Sequence, residues 1–277
     1  MNFLQEGFLA RILASGTAGD ELFFFFIKPV SILLCCVVIP YLLGSVNSAI
    51  IVSKMLFRDD VRGHGSGNAG ATNMYRTFGA KGAIPTVAGD VLKSFLAVFI
   101  GGLCCGFNQI GGFSFEPADP ALFVLSVGAN PIVVGTYLAG VFCILGHVFP
   151  VFYRFKGGKG VLSSFIVALM LNRWLALLLF LIFVIIVAFT RYISLGSTVG
   201  AALYPVFLSP VFRAFFNGVQ PPLYIVLFGF FIAGIIVLKH IPNIKRIMDH
   251  EESKFTFRRP PVSGDAYEQT EEKHDEK

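Results

Sequence analysis

The sequence has little charge. Asp, Glu, Lys and Arg make up 14% of its 277 residues, whereas a soluble domain carries about 25%. Hydrophobic residues make up 55%, and the mean hydropathy is +0.73. This balance excludes an ordinary soluble domain. It predicts an all-α membrane protein that forms one helical bundle without a second large domain.

The sequence also lacks the cysteine spacing of a metal site. Its five cysteines lie in apolar runs, without metal-ligand spacing to histidine: Cys35, Cys36, Cys104, Cys105 and Cys143. We therefore predict packing roles for them and no bound metal. The net charge of +5 does not require a nucleic-acid partner, because basic loops of a membrane protein set its topology and face anionic lipid.

Long apolar runs predict the membrane-spanning helices, since a helix needs about 20 apolar residues to cross a core of about 30 Å. The apolar run at 160–190 is longer, and as one helix it would measure about 46 Å. Asn172 and Arg173 interrupt it. The five clear runs lie at about 30–56, 82–106, 131–152, 195–216 and 221–241.

The distribution of basic residues predicts the topology. The segment 107–130 contains no Lys or Arg, whereas the other long polar segments are basic. The positive-inside rule then places the C-terminus in the cytoplasm only if 160–190 forms two helices, about 160–172 and 174–191. We predict seven transmembrane helices, with a short one at 160–172, the N-terminus outside and the C-terminus cytoplasmic.

The same pattern divides the chain into three parts. Residues 1–29 form an N-terminal extension, and residues 30–255 form the helical domain. Residues 256–277 are polar, with the sequence "EEKHDEK" at the end. Such a composition cannot bury a core, so we predict a disordered cytoplasmic tail.

Four polar segments lie on the predicted cytoplasmic side: "GHGSGNAGATNMYRTFG" (63–79), "FKGGKG" (155–160), "RYISLGS" (191–197) and "KHIPNIKR" (239–246). Glycine lets backbone N–H groups approach an anion, and Arg76 and Lys159 add positive charge. One phosphate-binding pocket explains all four segments. The alternative is that the glycines only form tight turns and the cations only set topology.

Three further ionisable residues lie inside predicted spans. Asp90 and Lys93 are three residues apart on one helical face, which is compatible with a functional pair or a self-neutralising structural pair. We interpret His147 as structural rather than catalytic. His240 lies on the cytoplasmic side next to Asn243, so it has the stronger claim to a substrate.

The four motifs, together with "GHVFPVFYRFKGGKGV" (146–161), resemble the bacterial membrane acyltransferases that use acyl phosphate to acylate glycerol 3-phosphate. The resemblance covers about residues 31–255. It implies a seven-helix enzyme of the bacterial inner membrane, with a cytoplasmic active site and no metal or other cofactor. The products would be 1-acyl-glycerol 3-phosphate (lysophosphatidic acid) and phosphate, in the first step of phospholipid synthesis. It also implies functional coupling to the enzyme that forms acyl phosphate.

The resemblance implies a set of substrate-binding residues: Ser66, Asn68, Arg76, Lys159, Ser197, His240 and Asn243. Asn73 would assist, and the phosphate-holding loops would contain Gly65, Gly67, Gly70, Gly157, Gly158 and Gly160. Arg76, Lys159 and His240 would be catalytic, with His240 either positioning the substrate or acting as a base.

Two positions depart from the family pattern, because Ser94 and His250 stand where the family has glycine. The alternative function from another class is a transporter or channel for phosphorylated metabolites. It would use the same cations, but it also requires polar groups at mid-membrane and on the outer side, of which the sequence has few.

Overall fold

The computed structural model describes residues 30, 32–105, 109–110, 113–114, 131–209 and 223–256. The extension 1–29, most of the segment 107–130 and the tail from 257 lie outside the described residues. The predictions made for those segments therefore stay predictions.

The described residues are helical except for loops, two 3₁₀ turns at Val61–Gly63 and Val151–Tyr153, and one antiparallel pair of two-residue strands, β1 (Gln109–Ile110) and β2 (Phe113–Ser114). The first helix begins with a π-helical segment, Leu33–Val38, that continues as α1. The helices are α1 (Ile39–Ser45), α2 (Ser48–Phe57), α3 (Ala71–Cys105), α4 (Pro131–Val148), α5 (Val161–Leu171), α6 (Arg173–Thr190), α7 (Ile193–Leu208) and α8 (Leu223–Met248).

Within the described residues, five helical stretches are long and apolar enough to cross a membrane: Leu33–Phe57, Ala71–Cys104, Gly135–Tyr153, Arg173–Thr190 and Ile225–Met248. The apolar helices α5 and α7 are shorter. The predicted division of 160–190 into two helices is confirmed. Asn172 separates them: its N–H donates to Ala168 O (2.7 Å), and its Oδ1 accepts from Leu175 N (3.2 Å).

The predicted span at 30–56 is present as Leu33–Phe57. It is not one continuous helix, because the chain leaves helical geometry at Val46 and Asn47. Asn47 is extended and buried, and its Oδ1 accepts from Ile50 N (3.1 Å), which caps α2. One asparagine in a long apolar run barely changes the hydropathy, although its side chain is well suited to start a new helix. The break leaves Val46 O free to accept a bond from another helix.

The polar segment 63–79 is not a loop throughout, since α3 begins at Ala71 rather than near 82. Gly79 has φ 66° and ψ −158°, a conformation that favours glycine, and it bends α3 at this point. Arg76 therefore lies on a helical turn that precedes the bend. A rigid helical backbone, rather than a loop, positions its guanidinium.

Close backbone contact joins α1 to α4. A Cβ at Gly44 would lie 2.0 Å from Cys143 O, and a Cβ at Gly146 would lie 2.1 Å from Tyr41 O. Small residues allow this approach in membrane helices. The main hydrophobic cluster then packs α3, α4, α5 and α8 together, with Val98, Ile144, Val148, Val167 and Ile236 buried.

Candidate active site

One cavity of about 390 Å³ brings the four polar segments together. All seven predicted substrate-binding residues line it: Ser66, Asn68, Arg76, Lys159, Ser197, His240 and Asn243. Of the six predicted glycines, Gly70 and Gly160 line the cavity, whereas Gly65, Gly67, Gly157 and Gly158 do not. The sequence therefore predicted where the polar side chains meet, but most of the glycines act behind the cavity wall.

Asn73 lines the cavity and holds the first glycine-rich loop in place. Its Oδ1 accepts from Ser66 N (2.9 Å), and its Nδ2 donates to Val61 O (3.0 Å) and His64 O (2.9 Å). A Cβ at Gly65 would lie 2.3 Å from Asn73 Oδ1, and Gly65 has φ +55°. All three of these side-chain hydrogen bonds of Asn73 go to the loop. They fix the backbone of Ser66 at the cavity.

The second glycine-rich loop passes directly over α4. A Cβ at Gly157 would lie 2.1 Å from His147 O, and a Cβ at Gly158 would lie 2.2 Å from His147 Nε2. Gly160 has φ +80° and starts α5, where its carbonyl accepts from Ser164 N (2.8 Å). The glycines therefore allow a close approach that brings Lys159 to the cavity.

Lys159 is the cation of this loop. Its Nζ donates to Asn243 Oδ1. Burial lowers the pKa of Lys159 to about 8; the carboxylate of Glu252 opposes the shift, and the charges of Arg246 and Arg76 add to it. Lys159 is thus a desolvated cation whose direct partner is a neutral amide, which leaves its charge available to an anion.

Glu252 is a cavity residue that the sequence analysis missed. It is buried and accepts from Ser194 Oγ (2.8 Å), Asn243 Nδ2 (2.7 Å) and Arg246 Nε (2.8 Å). Burial raises its pKa, but these hydrogen bonds outweigh burial and hold the pKa of the carboxyl below its usual range.

The chain reverses after α8 at His250, which has φ +59°, at a position where the resemblance to the acyltransferases implies a glycine. A helix that ends in this left-handed conformation returns its next residues toward its own last turn. A glycine expected at this position is the sequence signal that could have placed Glu252 in the cavity.

The segment that contains Glu252 also lies beside Arg76. The Arg76 guanidinium donates to Ser253 O (3.2 Å), and Phe255 N donates to Arg191 O (2.7 Å). The rings of Tyr75 and Phe255 lie 5.9 Å apart. Residues 252–255 therefore connect α3, α7 and α8 at the polar end of the cavity.

His240 and Ser197 complete the polar lining. His240 is buried, and its Nδ1 lies 2.8 Å from Ile236 O. A carbonyl only accepts, so Nδ1 carries the proton and Nε2 of the neutral ring keeps its lone pair. The Ser197 hydroxyl donates to Ile193 O (2.8 Å), so it presents lone pairs to the cavity. Both groups are ready to accept a hydrogen bond from a hydroxyl.

Asp90 and His147 line a deeper part of the same cavity. The ion pair between Asp90 Oδ1 and Lys93 Nζ is present, at 2.8 Å, and it is buried. Lys93 Nζ also contacts His147 Nδ1 at 2.8 Å and Val46 O at 2.9 Å. In the part of the chain that the structure describes, no three His, Cys, Asp or Glu side chains form a group that could hold a metal ion.

Comparisons with known proteins place this architecture in a family. The model of the family described as "Glycerol-3-phosphate acyltransferase" matches residues 34–250. A protein of that name from Thermoanaerobacter pseudethanolicus is 35% identical over 217 residues, which cover 78% of this chain and 92% of the relative. One from Bacillus subtilis is 34% identical over 218 residues, covering 79% and 95%.

Solved structures agree with the sequence relationship. The crystal structure of PlsY (YgiH), described as an integral membrane glycerol 3-phosphate acyltransferase in its glycerol 3-phosphate form, superimposes with a TM-score of 0.62 at 29% identity. It covers 80% of this chain and 95% of that chain. The lysophosphatidic acid form gives a TM-score of 0.59 at 28% identity. The chain described here therefore belongs to the glycerol-3-phosphate acyltransferase family.

Proposed function

We propose that this protein transfers the acyl group of acyl phosphate to glycerol 3-phosphate and releases 1-acyl-glycerol 3-phosphate and phosphate. The observation that carries the proposal is a single cavity with a cationic end and an apolar end. Both substrates have a phosphate, and the donor also has a long acyl chain. The family relationship does not favour the alternative of a transporter or channel.

The cationic end suits the phosphates. Arg76 and Lys159 line it from different segments, and Ser66 and Asn68 add uncharged polar groups. An arginine holds phosphate oxygens as a planar fork, whereas a lysine acts as a point charge. Together they reduce the repulsion between two anionic substrates in one cavity.

The apolar end suits the acyl chain. Side chains of α4, α5 and α8 line it, among them Val141, Ile144, Phe165 and Ile232. Burial of a methylene group contributes about 0.8 kcal/mol. A long chain bound here would therefore keep the carbonyl carbon at the boundary between the apolar and cationic ends.

The reaction needs alignment more than activation, because acyl phosphate is already a mixed anhydride. The glycerol hydroxyl oxygen attacks the acyl carbonyl carbon, the bond from that carbon to the phosphate oxygen breaks, and the hydroxyl proton passes to the departing phosphate. Arg76 and Lys159 stabilise the charge on that phosphate. His240 Nε2 accepts from a glycerol hydroxyl and orients it. No acyl-enzyme forms.

The test is an assay of the purified protein in detergent with palmitoyl phosphate and glycerol 3-phosphate, without ATP or added divalent metal. We expect equal amounts of released phosphate and lysophosphatidic acid. Efficient turnover of palmitoyl-CoA combined with inactivity toward palmitoyl phosphate would contradict the proposed donor.

We also propose that α5 and α7 complete seven membrane crossings, with the N-terminus outside and the cavity mouth at the cytoplasmic face of a bacterial inner membrane. The basic residues on one side support this orientation. In a cysteine-free background, Asp119→Cys should react with an impermeant thiol reagent from outside, and His250→Cys only after the inner face is opened. Reaction of both from the same side would contradict the odd number of crossings.

A further inference from the structure

Three partners surround the buried ammonium of Lys93. Its Nζ lies 2.8 Å from Asp90 Oδ1, 2.9 Å from Val46 O and 2.8 Å from His147 Nδ1. The Val46 carbonyl is available because the helix breaks there. All of these side chains are buried. The mechanism above uses none of them, although His147 and Asp90 line the cavity.

The lysine determines which nitrogen of His147 carries the proton. An ammonium has three N–H groups and no lone pair, so it only donates. His147 Nδ1 must therefore accept, and a proton on Nδ1 would also face a cation at 2.8 Å. Although Asp90 Oδ1 lies 3.8 Å from Nδ1, the closer ammonium favours a neutral ring whose single proton is on Nε2. This is the opposite tautomer to that of His240, whose Nδ1 donates to Ile236 O.

The donor nitrogen of His147 lies at the joint between the two glycine-rich loops. A Cβ at Gly158 would lie 2.2 Å from His147 Nε2 and 2.9 Å from Ala69 O. The backbone of His147 is also engaged there, since its carbonyl accepts from Gly158 N (3.1 Å). Only glycine at 158 leaves room for the imidazole at this place.

We propose that His147 is a phosphate-binding residue: Lys93 holds its proton on Nε2, and this N–H donates to a phosphoryl oxygen bound beside the Gly157–Gly160 turn. The inference rests on the proposed function, because it assigns a role within the same cavity. A neutral donor suits this depth, where Lys93 and Asp90 already cancel each other and a further cation would be unpaired. The two histidines then have different roles. His240 accepts a hydrogen bond from the glycerol hydroxyl, and His147 donates one to phosphate.

The first test reads the tautomer without turnover. The full chain, labelled with ¹⁵N-histidine and held in detergent micelles, contains five histidines, and loss of a signal in His147→Asn assigns His147. We expect a neutral ring protonated on Nε2 at neutral pH, with His240 protonated on Nδ1 as an internal contrast. Inorganic phosphate should shift the His147 Nε2 resonance. A ring protonated on Nδ1 or on both nitrogens, or one that phosphate leaves unchanged, would overturn the proposal.

The second test uses two amides that replace different nitrogens. In His147→Gln the amide N–H₂ reaches the position of Nε2, so the donor is kept and the partner of Lys93 is lost. In His147→Asn the amide oxygen reaches the position of Nδ1, so Lys93 keeps an acceptor and the donor to phosphate is lost. A hydrogen bond to a charged group is worth roughly tenfold or more in binding.

We therefore expect His147→Asn to raise a KM by at least about tenfold, while His147→Gln stays much closer to the wild type. Measuring the KM of glycerol 3-phosphate and that of palmitoyl phosphate separately shows which phosphate His147 contacts. The reverse order, with Asn near normal and Gln impaired, would mean that His147 serves only as a structural partner of Lys93.

The two proposals fail in different ways. If phosphate shifts His147 Nε2 but palmitoyl phosphate is not a donor, the proposed reaction is wrong and the binding role stands. If acyl transfer proceeds while His147 is protonated on Nδ1, the reaction stands and the role of His147 is wrong.

Discussion

Two lysines line or adjoin the same cavity, Lys93 fully buried and Lys159 partly buried, and they are paired in opposite ways. Lys93 forms an ion pair with a carboxylate and also contacts a carbonyl and an imidazole. Lys159 donates to the neutral amide of Asn243, and Glu252 is engaged instead by Ser194, Asn243 and Arg246. Lys93 is thus neutralised by its surroundings, whereas Lys159 keeps a charge without a carboxylate in direct contact.

The difference separates a cation held by an ion pair within the bundle from one whose charge can meet a ligand. A buried charge whose partners surround it has no free N–H group for a ligand. Its removal leaves the partner charge buried and unpaired. A desolvated cation with a neutral partner is stabilised in its charged form when an anion binds beside it. Charge alone, which both lysines share, would not distinguish them.

The largest expected effect comes from breaking the buried ion pair of Lys93. Lys93→Met leaves Asp90 ionised and unpaired in the bundle, so we expect a loss of about 3–5 kcal/mol in stability. Lys159→Met should change stability by less than about 1 kcal/mol, because no carboxylate loses its direct partner. Thermal unfolding in detergent measures both. The double variant Asp90→Asn/Lys93→Met should recover much of the loss; equal destabilisation by Lys93→Met and Lys159→Met would remove the distinction.

The next effect is on activity. Arg76→Ala and Lys159→Ala each remove a charge-assisted contact of about 1.5–3 kcal/mol, so kcat/KM should fall by at least about tenfold. Lys156→Ala is the matched control, because Lys156 is three residues from Lys159 and exposed. If the control loses as much activity as the cavity variants, the effect is one of general surface charge.

His240 provides a third test, of positioning against base catalysis. If Nε2 accepts from the glycerol hydroxyl, as proposed, His240→Gln should raise the KM for glycerol 3-phosphate by about tenfold and change kcat little. A general base would contribute about 10²–10⁴-fold to the chemical step. A fall in kcat of that size, together with loss of any limb near pH 6–7, would assign the base role instead.

The smallest expected effect is on the pH profile. The pKa of Lys159 is lowered to about 8, so its positive charge is present below that pH and lost as the pH rises through it. The kcat/KM of the free enzyme should therefore halve near pH 8 and continue to decline. Lys159→Arg should abolish this limb, since a guanidinium stays charged. A decline that persists unchanged in Lys159→Arg belongs to another group.

Periodicity and charge predicted the parts of this fold that depend on composition. The division at Asn172 followed from helix length and from the sign of the loops, and the meeting of Arg76, Lys159 and His240 followed from placing polar motifs on one side. The break at Asn47 did not follow, because one buried side chain makes it. The start of α3 at Ala71 was missed because small and polar residues fill its first turns.

The site was predicted less completely than the fold. Glu252 lies in a charged stretch that resembles a solvated tail, and only the reversal at His250 brings it back into the cavity. The roles of Gly157 and Gly158 also depend on a distant partner, since His147 occupies the space that their missing side chains leave. Contacts of this kind depend on how helices are placed relative to one another, and local sequence does not contain that information.

The brevity of α5 ties this protein to the thickness of its membrane. A helix of 11 residues rises only about 16 Å, while the hydrocarbon core is about 30 Å thick. If α5 and α6 form a crossing and a return, the turn at Asn172 and Arg173 lies below the surface that its neighbours reach. Lipids can meet such a mismatch by thinning locally, at a modest cost per ångström. With that crossing, a bilayer of short-chain lipids would need less thinning, so the packing of α5 would depend on the acyl chains of the surrounding membrane.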